Sequence, residues 1–336
     1  MPAQPPAGPR DRGFILAAAH WPDVEAGARQ LLVVPVGSLE QHGPHLPLDT
    51  DTRIAVTVAE RACAGRAGVG LAPAVAIGAS GEHADFPGTL SIGHVALSTL
   101  LVELGRHASL HWPAMLLVNG HGGNAAAISD ALGQLRAESR GCHVWHAGIR
   151  PSMLAAARTA TRRGADGSDA GNPAAKLAPD AHAGRAETSM MLALAPGDVR
   201  LSDAVAGETR PLTEIMADLR AGGVRQVSPN GVLGDPAGAS AAEGETLLAL
   251  LVADLAATLD RLTGAAGGRG LAGGPLAGCH RAGAAAQPGR TTRLVEGGLT
   301  ASRRAGRTGR LTNSPPQLGQ TPLRTFSAQS RHHVHS

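Results

Sequence analysis

A short apolar run followed at once by crowded ionisable side chains is the feature that most limits how this chain can fold. The run is QLLVVPVG, residues 30–37, and its apolar residues and final turn signal predict a strand buried on both faces. The nineteen residues from Pro35 to Arg53 then bring five carboxylate or imidazole side chains, Glu40, His42, His45, Asp49 and Asp51. Burying so many ionisable groups is costly unless something compensates their charge. A bound metal cation is the first candidate for that compensation.

Further apolar runs alternate with amphipathic segments along the chain. In residues 94–111, for example, leucines recur at the i, i+3, i+4, i+7 spacing of a helix that buries one face. The alternation predicts an α/β fold with a mostly parallel sheet and helices on both of its faces. Strands are predicted at 30–37, 69–78, 114–120 and 142–148, and helices begin near 52, 94, 125, 185 and 240.

Local signals mark helix starts and loops. Asn124 has the character of an N-cap, and Ser240 followed by Glu243 has the spacing of a capping box. Residues 160–183 are rich in Gly, Ala, Asp and Pro, which predicts a long loop, and such loops are often functional.

The two ends of the chain differ from its body. Residues 1–13 are rich in proline and are predicted to be disordered. Residues 264–336 carry ten arginines and one acid, Glu296, without an apolar period, so this tail is also predicted to be disordered. The tail is therefore +9, and the overall charge of +3 leaves −6 on residues 1–263. The basic balance belongs to the tail, and it is no argument that the body binds nucleic acid or a membrane.

The cysteines and the apolar segments indicate the compartment. Cys63, Cys142 and Cys279 are odd in number and have no CxxC spacing, which argues against a disulfide framework and a zinc ribbon. The N-terminal segment lacks a signal pattern, and no apolar run reaches the length of a membrane span. We therefore expect a soluble cytoplasmic protein.

Two further motifs offer ligands. In NGHGGN, His121 follows the predicted strand 114–120 and so could be a ligand. A glycine-rich turn that contains a histidine by chance would explain the same sequence about equally well. DAHAGRAETS offers His182 and Glu187 where the loop gives way to a helix, whose dipole by itself favours an acid at Glu187. In GEHADFPGTL, His83 could contact a substrate or cap a turn.

Together these residues predict a metal centre with mixed nitrogen and oxygen ligands, which suits Zn²⁺, Mn²⁺ or Fe²⁺. Five ligands exceed what one tetrahedral ion with an open position needs, whereas a carboxylate that bridges two ions uses all of them, in a site that activates water for hydrolysis. His182 is left as the general acid/base, and His45 and Asp49 are expected to be loop residues near the ligands. The predicted ligands are Glu40, His42, Asp51, His121 and Glu187.

Five motifs resemble those of the creatininase family of metal-dependent amidohydrolases, in the expected order over residues 14–263: PVGSLEQHGPHLPLDTDT, FPGTLSIGH, VNGHGGN, HAGRAETS and GVLGDP. The resemblance implies a three-layer α/β/α sandwich, a catalytic domain over 14–263, a homo-oligomer (hexameric in several members) and two divalent ions per subunit. It also implies that Glu40, His42, Asp51 and His121 are ligands, with Asp51 bridging, and that His182 lies beside the bound water.

The chain departs from creatinine-hydrolysing members, which resemble GHYEN at the fourth motif and use its Glu as a ligand. Gly123 stands there, so Glu187 is the predicted replacement ligand and also a predicted catalytic carboxylate. LPLDTDTRIA and DAHAGRAETS resemble the mycofactocin-system branch, which implies a peptidase that releases the C-terminal Val–Tyr-derived unit of a modified precursor peptide. The alternatives are a small-molecule amidohydrolase, acting on creatinine or a formamide, and a non-catalytic metal-binding scaffold.

Overall fold

The computed structural model describes residues 14–164 and 180–268. The predicted N-terminal segment 1–13 lies outside the described residues, as do residues 165–179 of the predicted long loop and residues 269–336 of the predicted tail. The start of that tail at residue 264 was wrong, because the last helix of the structure continues to Gly268. Among the described residues, no helix is both long and apolar enough to cross a membrane.

The described strands form one parallel sheet in the order β1-β3-β2-β4-β5, which confirms the predicted sheet. β2 is buried along its whole length, as its unbroken apolar sequence predicts. β3 is shorter than predicted because Pro73 lacks an N–H, and Val75 then forms an isolated bridge to Val36. The strands are β1 (Phe14–Ile15), β2 (Leu31–Val36), β3 (Val69–Leu71), β4 (Ala114–Asn119) and β5 (Gly141–His146).

Helices cover both faces of the sheet, which gives the predicted three layers. Alternate residues of β2 point to opposite faces, so Leu31 and Val33 join one core cluster while Leu32 and Val34 join the other. The first cluster packs against α2, α5, α6 and α8, and the second packs against α3 and α4. The helices are α1 (Trp21–Ala26), α2 (Thr50–Cys63), α3 (Gly93–Ala108), α4 (Ala125–Ala137), α5 (Pro151–Gly164), α6 (Arg185–Leu194), α7 (Leu212–Val227) and α8 (Ala241–Gly268).

Three helices were not predicted, α1, α5 and α7. α5 reaches Gly164, so the predicted loop from residue 160 begins as helix, because Met153, Leu154 and Ala157 bury one side of α5 in the core. α7 is kinked at Gly223, where φ is 71°, and its apolar pattern is interrupted there.

The two capping predictions have different outcomes. The Ser240 hydroxyl accepts a hydrogen bond from the N–H of Glu243 at 3.2 Å, as a capping box requires, but the Glu243 carboxylate binds Arg185 instead of turning back. Asn124 occupies the N-cap position of α4, as predicted, but its side chain makes no cap bond to that helix. Asn124 instead accepts from Ala79 N–H and donates to the Gly37 carbonyl, and so ties neighbouring segments together at the edge of the sheet.

Candidate metal centre

The predicted site residues meet at the carboxyl edge of the sheet, between β2 and β4. After β2 the chain forms β3 on one side, and it then crosses to β4 on the other side. A crevice opens where the strand order reverses in this way, and open α/β sheets bind their ligands there. The segments that follow Val36 and Asn119 both enter this crevice.

Asp51, in the first turn of α2, lies between two imidazoles. Its Oδ1 is 3.2 Å from Nε2 of His42, and its Oδ2 is 3.2 Å from Nδ1 of His121. The Ser38 hydroxyl donates a hydrogen bond to Oδ2 at 2.8 Å. His42 Nδ1 donates to the main-chain carbonyl of Glu40 at 3.1 Å, so its Nε2 is the nitrogen that faces Asp51. A carboxylate that bridges two metal ions would have to lie in such a position, between two possible imidazole ligands.

Glu40 is fully buried, and among the described residues no group donates a hydrogen bond to either of its carboxylate oxygens. Three imidazoles surround it. His121 Nε2 is 3.1 Å from Oε2, without the alignment of a hydrogen bond, while His83 Nε2 and His182 Nδ1 are 3.6 Å and 3.8 Å from Oε1. A buried carboxylate without hydrogen bonds is costly to keep ionised. The residues present therefore fit a bound cation.

The possible ligand atoms form three groups, within each of which all atoms lie within 4.8 Å of one another. Imidazole nitrogens and carboxylate oxygens are the donors that Zn²⁺, Mn²⁺ and Fe²⁺ accept. Asp51 belongs to two of the groups, so one carboxylate faces two possible ion positions. The groups are Glu40, His42 and His182; Glu40, Asp51 and His121; and His42, Asp51 and Glu187.

His182 comes from the turn that leads into α6, and Glu187 comes from the first turn of α6. Ala183 adopts a left-handed φ of 53°, and its N–H donates to Glu187 Oε2 at 2.6 Å. The main chain of His182 pairs with that of Leu233, which anchors the turn. The His182 ring lies 4.3 Å from the His42 ring, and Glu187 Oε2 lies 4.0 Å from His42 Nε2. The structure thus brings all six predicted site residues together.

Burial and neighbouring charge act on the pKa values of the centre. Burial disfavours the charged form of His42, but the nearby carboxylates, Asp51 foremost, outweigh it and raise its pKa to about 10. Burial also raises the pKa of Glu187, to about 7. Burial, reinforced by repulsion from His42 and His83, holds the pKa of His182 well below its usual value. Without a cation, the His42 ring is therefore protonated on both nitrogens, and metal binding would release one of these protons, while the His182 ring is neutral.

His45 and Asp49 lie outside the three ligand groups. His45 is buried, with its Nε2 2.9 Å from the Thr188 hydroxyl, beside Glu187 in α6. Asp49 precedes α2, and its carboxylate is 2.8 Å from the guanidinium of Arg53.

Sequence reasoning missed Gln41 and Glu82 and left two roles open for His83. The His83 side chain is buried and makes no helix cap, and its Nδ1 lies 2.8 Å from Nε2 of Gln41. Glu82 Oε1 lies 3.4 Å from Nε2 of His121. A signal was available, because residues 79–83 follow the predicted strand 69–78 and so also belong to the carboxyl edge of the sheet.

Comparisons with known proteins agree with this geometry. The family model Creatininase, described as creatinine amidohydrolase, matches residues 17–259. The mycofactocin precursor peptide peptidase of Mycolicibacterium smegmatis is 48% identical over 228 residues, covering 66% of this chain and 81% of that protein. The peptidase of the same name from Mycobacterium tuberculosis strain H37Rv is 45% identical over 233 residues, covering 66% and 82%.

A solved structure titled Creatininase Mn superposes with a TM-score of 0.56 at 25% identity, covering 75% of this chain and 99% of that one. The chain therefore belongs to the creatininase family of metal-dependent amidohydrolases, which hydrolyse C–N bonds.

Proposed function

We propose that this chain is the peptidase that cleaves the modified mycofactocin precursor peptide and releases its C-terminal Val–Tyr-derived unit. The substrate assignment is supported by the relatives of that name, which are 48% and 45% identical to this chain. The chemistry is supported by one observation above the others. Glu40 is a fully buried carboxylate without a hydrogen-bond donor among the described residues, and it stands among imidazoles at the carboxyl edge of the sheet.

We propose two divalent ions per subunit, Zn²⁺, Fe²⁺ or Mn²⁺, with Asp51 shared between them. Glu40 and His121 would hold one ion, and His42 and Glu187 would hold the other, so that Glu187 supplies the acidic ligand that Gly123 cannot. Divalent ions bound here would polarise an amide carbonyl and make water a stronger nucleophile at neutral pH. Solved creatininases of Mn and of Zn–Zn type are among the structural relatives.

The protein supplies the proton transfers. His182 Nδ1 lies 3.8 Å from Oε1 of the proposed ligand Glu40, and from there it would accept a proton from the water that attacks the carbonyl. The same nitrogen then protonates the leaving amine nitrogen, so the proton that water loses is the one that the amine gains. Glu187 is the second proposed catalytic residue, and the Ala183 N–H holds its Oε2 in place.

The test compares hydrolysis of three substrates by mass spectrometry: the modified precursor peptide, creatinine and a formamide. We expect cleavage of the peptide alone, with loss of about 100-fold or more in His121→Asn and none in the exposed control His94→Asn. Faster turnover of creatinine or formamide would replace the peptidase with the small-molecule alternative. Bound metal without turnover of any of the three would favour the non-catalytic scaffold.

We also propose a cytoplasmic homo-oligomer, hexameric as the family resemblance implies. Leu90, Ile92 and Val95, on and just before α3, are exposed apolar residues of the kind that subunit contacts cover. Cys63 and Cys142 are buried free thiols, as suits a reducing compartment. Light scattering coupled to gel filtration measures the assembly, and a monomer at micromolar concentration would contradict this proposal.

A further inference from the structure

The amide of Gln41, between two predicted ligands in the chain, occupies a site built around it. Its Oε1 accepts a hydrogen bond from the Gly43 N–H at 2.8 Å, and its Nε2 donates to the Gly231 carbonyl at 3.0 Å. These two partners fix which end of the amide is oxygen, since a main-chain N–H only donates and a carbonyl only accepts. Gly231 has a φ of 81°, and a Cβ there would collide with the Gln41 amide. The position of Gln41 is therefore closely defined.

The second amide hydrogen of Gln41 determines the tautomer of His83. Gln41 Nε2 lies 2.8 Å from His83 Nδ1. An amide nitrogen donates and does not accept, so His83 Nδ1 is the acceptor and the ring proton resides on Nε2. His83 Nε2 lies 3.6 Å from Glu40 Oε1. His83 therefore turns an N–H toward the buried carboxylate that lacks hydrogen bonds.

The main chain of Gln41 determines the tautomer of His182. Its carbonyl oxygen lies 2.7 Å from His182 Nε2, which must therefore carry the proton. The Gln41 amide nitrogen is also 3.1 Å from this Nε2, but two donors cannot bond, and both amide hydrogens already have partners in Gly231 and His83. His182 therefore presents an unprotonated Nδ1 to the centre, 3.8 Å from Glu40 Oε1.

We propose that Gln41 is a positioning residue that holds His83 as an N–H donor toward Glu40 and His182 as a proton acceptor beside the same carboxylate. The proton transfer to His182 rests on the proposed function. The tautomers of His83 and His182, and the way both rings face Glu40, do not depend on the substrate. Gln41 acts on the proposed ligand Glu40 through His83 and His182, and removal of such outer contacts of a metal centre typically changes metal affinity or activity by about 10–100-fold.

The direct test is a long-range ¹H–¹⁵N spectrum of the histidines in the metal-free protein, assigned with His83→Gln and His182→Gln. We expect both rings as neutral Nε2–H tautomers. In Gln41→Glu, a carboxylate replaces the amide N–H, so His83 should gain a proton on Nδ1 while His182, held by the main chain, keeps its tautomer. An Nδ1–H tautomer for His83 in the unsubstituted protein would overturn the proposal without any assay of activity.

A second test removes the amide. Gln41→Met should weaken metal binding about 10-fold or more, by titration calorimetry with Zn²⁺, and lower kcat on the precursor peptide by about 10–100-fold with little change in KM. The matched control is Gln134→Met, which replaces an exposed glutamine of α4 and should leave metal affinity and kcat unchanged. Metal affinity and kcat within twofold of the unsubstituted protein in Gln41→Met would refute the role of Gln41. Normal metal binding and tautomers with no peptide cleavage would instead count against the proposed substrate.

Discussion

Adding a methyl group at Gly123, but not at its neighbour Gly122, should damage the metal centre. A Cβ at Gly123 would fall inside the contact distance of Glu82 Oε1 and His121 Nε2, and 2.6 Å from the main-chain oxygen of Ala79. A Cβ at Gly122 would meet nothing within 4 Å. Both glycines belong to the same 3-10 turn, and neither has a positive φ, so the pair isolates the collision from the backbone effect of alanine.

The expected magnitude follows from these contacts. Ordinary contact begins at 3.4 Å, so the Ala79 oxygen or the turn must move by about 0.8 Å. The segment resists this movement, because Asn124 holds the Ala79 N–H at 2.8 Å and the Ala79 carbonyl accepts from His121 Nε2 at 3.2 Å. Overpacking of this kind costs about 1–3 kcal/mol of stability. A displacement of about 1 Å at a catalytic group costs on the order of 100-fold in rate.

The assays are urea unfolding, titration calorimetry with Zn²⁺ or Mn²⁺, and cleavage of the precursor peptide. Gly123→Ala should lose about 1–3 kcal/mol of unfolding free energy and 10-fold or more in metal affinity, because His121 is pushed out of place. Gly122→Ala should match the unsubstituted protein or be more stable by about 0.4–1 kcal/mol. Equal metal affinity in the two variants would refute the inference that the space beside Gly123 is filled by the centre.

Three further predictions concern stability. In urea unfolding, removal of the metal by EDTA should lower the unfolding free energy by about 2.7 kcal/mol, compared with protein that holds metal at 100 times its Kd. The loss on adding EDTA should be much smaller in Glu40→Gln. Equal losses in Glu40→Gln and in the unsubstituted protein would show that Glu40 is not a ligand. Asn124→Ala should cost about 2–3 kcal/mol in the same assay, because buried main-chain groups of two segments lose their partner, and an unchanged midpoint would contradict this. Glu243→Ala should lower the unfolding free energy by about 3 kcal/mol, because Arg185 loses the buried carboxylate that it binds. The exposed control Glu245→Ala should lower it by less than about 1 kcal/mol. Similar losses in the two variants would contradict this prediction.

Much of the site could be predicted because it follows from strand geometry. The carboxyl ends of β2 and β4 are neighbours in the sheet, so residues that follow each strand, such as His42 and His121, must approach one another. Asp51 lies in the first turn of α2, at the end of the first motif, and the short segment of chain between it and His42 keeps the two residues close together. His182 and Glu187, which lie 61 and 66 residues beyond His121, were grouped with these residues for their side-chain chemistry, and the resemblance then supported His182.

Other contacts could not be predicted, because they depend on how distant segments pack. Gln41 meets His182 across 141 residues and Gly231 across 190, and no local pattern encodes either contact. Asn124 has the residue type of an N-cap, but the 3-10 turn before α4 points its side chain toward Gly37. The kink of α7 at Gly223 brings that helix against the main chain of Glu82, a contact that the interrupted apolar pattern conceals.

The most direct test of the metal centre is the number of ions that each subunit binds. Metal-free protein is titrated with Zn²⁺ by calorimetry, and the bound metal is then counted by elemental analysis, for the unsubstituted chain and for Asp51→Asn. Because Asp51 faces both possible ion positions, we predict two ions per subunit in the unsubstituted chain and at most one in Asp51→Asn. One ion or none in the unsubstituted chain, or two ions retained by Asp51→Asn, would contradict a centre built around this carboxylate.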